Sequence, residues 1–94
     1  MEVREVIWVD LFVEKLWRKH HVRIDEVEEV FSRRPKVRKV ASGDVAGEDV
    51  YSAMGQTAGG RYLTIFFALK AGARALVISA RDMKRKERRQ YAKK

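Results

Sequence analysis

Apolar and polar positions along the chain change period several times, and each change marks an element. Val3 to Val9 (VREVIWV) is β-branched and partly alternating, which predicts a strand. From Leu11 to His20 the period becomes helical. Phe12, Val13, Leu16 and Trp17 recur on one side, and Glu14, Lys15, Arg18 and Lys19 lie on the other. Asp10 is placed to cap this helix, and His20 continues its apolar stripe at the last turn, whereas His21 points more outward. Ile24, Val27, Val30 and Phe31 form the buried stripe of a second, short helix. Asp25 and Glu28 have the spacing of a capping signal for it. Pro35, the single proline, closes that helix, and Lys36 to Ala41 predicts an edge strand whose lysines discourage stray pairing.

The second half reads as strands. Ser42 to Gly47 predicts a loop and Glu48 to Thr57 a strand of mixed alternation. After a turn at Ala58-Gly59-Gly60, Arg61 to Leu69 (RYLTIFFAL) is nearly apolar throughout, as a central strand covered on both faces would be. Ala71-Gly72 turns the chain into Arg74 to Ala80, a further strand. The tail that follows has no Gly or Pro and is rich in helix formers, with Asp82 placed as a cap. The prediction is one α+β domain over residues 1–94: an N-terminal strand, two helices, an antiparallel meander of three or four strands, and a C-terminal basic helix, in two layers.

Charge narrows the partner. The net charge is +8, and residues 81–94 alone contribute +6 of it. A cationic helix delivered by a strand makes a surface for polyanions: nucleic acid, anionic lipid or an acidic protein. The absence of cysteine excludes disulfides and thiolate metal sites and fits a cytoplasmic location. The N-terminus has acids and no long apolar run, so no signal peptide is expected, and no apolar stretch is long enough to span a membrane. The one acidic cluster, residues 25–29, has the spacing of a solvated helix face rather than of a metal site. Neither metal nor cofactor is expected.

Several short motifs occur in one order: I-W-V-D at Ile7 to Asp10, K-H at Lys19 and His20, G-Q-T-x-x-G-R-Y-L at Gly55 to Leu63, and I-S-A-R-D-M with E-R-R-x-Y between Ile78 and Tyr91. Together they resemble the BrnT-type toxins, small ribonucleases of type II toxin–antitoxin pairs with a RelE-related fold. The resemblance implies metal-free cleavage of RNA, by attack of a 2′-hydroxyl on its own phosphate. It also implies a cognate, DNA-binding antitoxin as partner.

Such cleavage needs a proton acceptor, cations around the phosphorane, and a proton for the leaving oxygen. By motif position Arg81 clamps the scissile phosphate, Arg61 is a second clamp, and His20 is the acid or base. Tyr91 stacks on a base or donates a hydrogen bond. Arg88 lies three residues before Tyr91, on the same helix face. Lys84, Arg85 and Arg89 hold the RNA backbone. Each residue also has a plainer reading: His20 as a core-edge histidine, Arg81 paired with Glu87, Arg61 as a turn residue, and Tyr91 as packing. The helix cations serve equally for an acidic antitoxin. A noncatalytic nucleic-acid-binding module and a degenerate toxin are the alternative functions.

Overall fold

The computed structural model describes residues 2–41 and 49–93, and the loop expected at Ser42 to Gly47 lies outside them. The elements follow the order β1 (Glu5–Ile7), α1 (Asp10–His20), α2 (Ile24–Ser32), β2 (Lys36–Ala41), β3 (Val50–Gln56), β4 (Tyr62–Lys70), β5 (Arg74–Asp82) and α3 (Arg85–Ala92). One sheet carries the strands in the order β1-β5-β4-β3-β2. Strands β2 to β5 pair antiparallel with their sequence neighbours. β1 joins β5 in parallel, so the five-stranded sheet is mixed. The nearly apolar β4 is its middle strand, as its composition requires.

Period-2 alternation sorts the side chains of β4 onto two faces. Leu63, Ile65 and Phe67 are fully buried with Leu16 and Val22 from the α1 region and Val27 and Val30 from α2. Phe67 is the centre of this core, with Phe31 edge-on at 5.4 Å and Tyr51 stacked at 5.8 Å. Gly55 of β3 lets α2 close onto the sheet, because a Cβ there would stand 2.7 Å from Val30 Cγ1. The opposite face carries Tyr62, Thr64 and Phe66, and α3 crosses it. The expected two layers are therefore three: α1 and α2 on one face, the sheet, and a short basic helix on the other.

Five local expectations change. Ile24, placed in the buried stripe of α2, is the helix's first residue and is 37 % exposed. Trp17 is 53 % exposed, since it sits about 100° round the helix from the buried Leu16 and α1 packs mainly on the β5 side of the sheet. Its ring instead meets His21 edge-on at 5.1 Å. Asp10 does not cap α1; it is that helix's first residue, and the cap position is Val9. Asp25 and Glu28 do not cap α2, which begins one residue before Asp25. The Glu26 carboxylate accepts the Arg23 N–H at 3.0 Å, while Asp25 pairs with the Arg23 guanidinium. Asp82 is the last residue of β5 and does not cap α3. There the Glu87 carboxylate accepts the Lys84 N–H at 2.8 Å. α1 ends on His21 in the left-handed region (φ 53°), whose N–H donates to the Trp17 carbonyl while Val22 N–H donates to that of Leu16.

Candidate functional site

A β-bulge decides which residues of β5 meet α3. Phe66 faces Ser79 and Phe67 faces Val77, so Ile78 is an extra residue in β5. The bulge shifts the strand's phase by one. Val77 and Ala80, three apart, therefore both enter the core, and Arg81 turns to the α3 face. Asp82 turns the other way, towards the α1 end.

On the α3 face, Arg81 forms a fork-to-fork pair with Glu87, Nη1 to Oε1 at 2.6 Å and Nη2 to Oε2 at 2.9 Å. Its guanidinium also lies 5.2 Å from the Phe66 ring centroid. Hydrogen bonding from Arg81 lowers the Glu87 carboxyl to a pKa of about 2. The Lys84 N–H adds to this, and so does the Thr64 hydroxyl, although the buried Thr64 Oγ1 makes no hydrogen bond of good geometry. Arg88 lies 4.0 Å above the Tyr62 ring, and Tyr91 meets that ring edge-on at 6.0 Å. Arg88 and Tyr91 thus share one face of α3, as their spacing predicts, and that face meets Tyr62 of the sheet. Lys36 Nζ donates to the carbonyls of Tyr91 and Lys93 and sits 5.4 Å from the Tyr91 ring, anchoring the helix end to β2. Lys84, Arg85 and Arg89 remain exposed, and Arg85, Arg88 and Arg89 line an open hollow beside Met83.

Arg61 occupies a different place. It stands just before β4, on the α1 and α2 side of the sheet. Nε donates to Asp82 at 2.7 Å, Nη1 to the His21 carbonyl at 2.8 Å and to Glu26 at 3.1 Å, and Nη2 to the His20 carbonyl at 2.9 Å and to Asp82 at 3.3 Å. All five N–H donors of the guanidinium are engaged. One side chain thereby ties the carbonyl end of α1, the first turn of α2 and the end of β5. The hydrogen bond from Arg61 holds the Asp82 carboxyl below its ordinary range, and Asp82 in turn raises Arg61. Sequence reading missed this hub, because backbone carbonyls supply two of its acceptors and leave no mark in the side-chain pattern.

His20 belongs to the same side. It lines a cleft of about 110 Å³ with Lys15, Leu16, Lys19, Ile78 and Ser79, and its charge adds to the lowering of Asp82. The candidates therefore fall into two groups: His20 and Arg61 at the α1 end, and Arg81, Arg88 and Tyr91 under α3. Between them runs the outer edge of β5. β1 covers that edge only from Arg74 to Leu76, so among the described residues no strand pairs with it from Val77 onward. Among the described residues no cluster of His, Cys, Asp or Glu could hold a metal ion. Among the same residues no helix is long and apolar enough to cross a membrane.

The fold and this face together define a small α+β protein that presents a cationic helix and aromatic rings on one side of a mixed sheet. Residues 13–87 match the family described as "Ribonuclease toxin, BrnT, of type II toxin-antitoxin system", and the chain belongs to it. Among solved structures it is similar to the crystal structure of the Brucella abortus ribonuclease toxin, BrnT. That likeness has a TM-score of 0.61 and 20% sequence identity, and it covers 86% of this chain and 97% of that one. No curated protein sequence matches the chain.

Proposed function

We propose that this protein is itself an endoribonuclease toxin, which cleaves RNA without metal by attack of a 2′-hydroxyl on the adjacent phosphate, on a RelE-like architecture. The observation that carries the reading is the convergence of Arg81, Arg88, Tyr62 and Tyr91 under α3 in a chain of the BrnT family. A planar guanidinium suits a phosphate, and Glu87 already holds that of Arg81 in the bidentate geometry a phosphate would take over. In this reading Arg81 and Arg88 stabilise the phosphorane charge, and Tyr91 stacks on a base or donates to the RNA. Lys84, Arg85 and Arg89 hold the backbone. His20 is the acid or base, and RNA reaches it across the uncovered edge of β5. Arg61 fixes the carbonyl end of α1 and so the position of His20.

The protein acts in the cytoplasm, and a small DNA-binding antitoxin neutralises it by covering the cationic face. A basic face and an acidic partner attract each other over a distance, which speeds the association. A complex that left α3 and Arg81 exposed would contradict this. The Arg81–Glu87 pair also favours a second reading, a degenerate toxin kept as a binding module, because the clamp is occupied at rest. Expression in growing cells separates the two. The toxin reading expects growth arrest that Arg81→Ala abolishes with its melting curve retained. Unimpeded growth with the wild-type chain favours the module.

A further inference from the structure

Beside Arg81 a groove of about 320 Å³ opens between α3 and strands β2 and β3. The sheet forms its floor with Met54 and the half-buried Phe66; Arg38 and Lys39 stand on the β2 side, Glu87 and Gln90 on the α3 side. Arg38 Nη1 reaches Gln90 Oε1 at 3.4 Å, a long bond between two exposed side chains that spans the groove. Of the motif residues Glu87 lines this groove, which is distinct from the cleft at His20.

We propose that this groove is a base-reading subsite that selects guanine in single-stranded RNA beside the phosphate held by Arg81. The inference rests on the ribonuclease reading and goes beyond it to specificity. A half-buried ring next to a phosphate-binding arginine fits an unstacked base, which can lie on Phe66 while its backbone follows the cations. The polar pair above supplies the edge chemistry. The Gln90 amide oxygen accepts from the N1–H and N2–H of guanine while Arg38 donates to O6. Adenine would set its N1 acceptor against that amide oxygen, and uracil, which offers O4 and N3–H in the same pattern, lacks the second donor that guanine has at N2.

The test uses two fluorescent hexanucleotides of 2′-O-methyl RNA, which cannot be cut: one all uridine, the other with one central guanosine. The full-length protein is expected to bind the guanosine hexamer about tenfold more tightly. Gln90→Leu is expected to bring the ratio of the two affinities close to one. Gln90 is exposed, so this variant keeps its fold, and an unchanged melting midpoint checks that. Wild-type protein that binds both hexamers equally overturns the subsite and leaves the ribonuclease reading standing. So does a tenfold ratio that persists in both Gln90→Leu and Arg38→Ala. Binding of neither hexamer overturns both.

Discussion

Two arginines illustrate how much the surroundings of a side chain decide its work. Arg61 and Arg81 stand at the same end of the paired strands β4 and β5 but on opposite faces of the sheet; one is saturated, and the other is held by a single carboxylate and, at longer range, by the Asp82 carbonyl. Arg61 makes charge-assisted bonds to two carboxylates and two helix-end carbonyls at 27 % side-chain exposure. Its removal takes this donor from both carbonyls and both carboxylates, although Glu26 keeps the Arg23 N–H and Asp82 is 66 % exposed, so Arg61→Ala is expected to cost about 1–3 kcal/mol of stability in denaturant unfolding. Arg61→Lys is expected to recover less than half, because an ammonium cannot serve five acceptors in one plane. Near-wild-type stability of Arg61→Ala would show that the hub does not hold the fold together. Glu87 makes a pH prediction. Its folded pKa, about 2, lies below the ordinary 4.5, so the stability it contributes is fully present above about pH 4.5 and is lost as pH falls towards 2. Glu87→Gln is therefore expected to flatten the fall of melting temperature across that window. An unaltered slope would assign the acid sensitivity to other carboxylates.

At the scale of elements, the chain's pattern announced nearly every helix and strand, because their periods are set by local burial. β4 was legible as the central strand from its unbroken apolar run, and the Gly-containing turns on either side gave the antiparallel order. Three features were not legible, each for a physical reason. β1 is only three residues long, and its parallel pairing with β5 depends on a partner almost seventy residues away. The bulge at Ile78 interrupts alternation within an apolar run, where polar markers are lacking, so strict period 2 would have sent Arg81 to the core face. α3 buries no residue completely, so its apolar pattern could not show which face of the sheet it covers. Gly55 tests the contact between α2 and β3 directly. Gly55→Ala forces Val30, itself fully buried, to move, and is expected to cost about 1–3 kcal/mol in chemical denaturation. A neutral or stabilising result would mean that α2 can shift on the sheet at no cost.

For the whole molecule, the sheet separates framework from chemistry. One face is spent on the core under α1 and α2. The other carries rings, a cationic helix and an arginine that the bulge has turned out of the core. The two groups of candidate residues meet only around the edge of β5 that β1 leaves uncovered, which makes that edge the place where a bound RNA strand would pass from clamp to histidine. The motifs carried this arrangement only in part: they named Arg81, Arg88 and Tyr91, which the structure brings together, and His20 and Arg61, which it places on the other side. The central claim is that this face cleaves RNA with its own cations. It is tested most directly by incubating the purified protein with single-stranded RNA in excess EDTA beside an Arg81→Ala control of matched melting behaviour. The account predicts cleavage that survives EDTA, leaves 2′,3′-cyclic phosphate ends, and falls at least a hundredfold in the variant. Cleavage that EDTA abolishes, or that Arg81→Ala leaves intact, would contradict it.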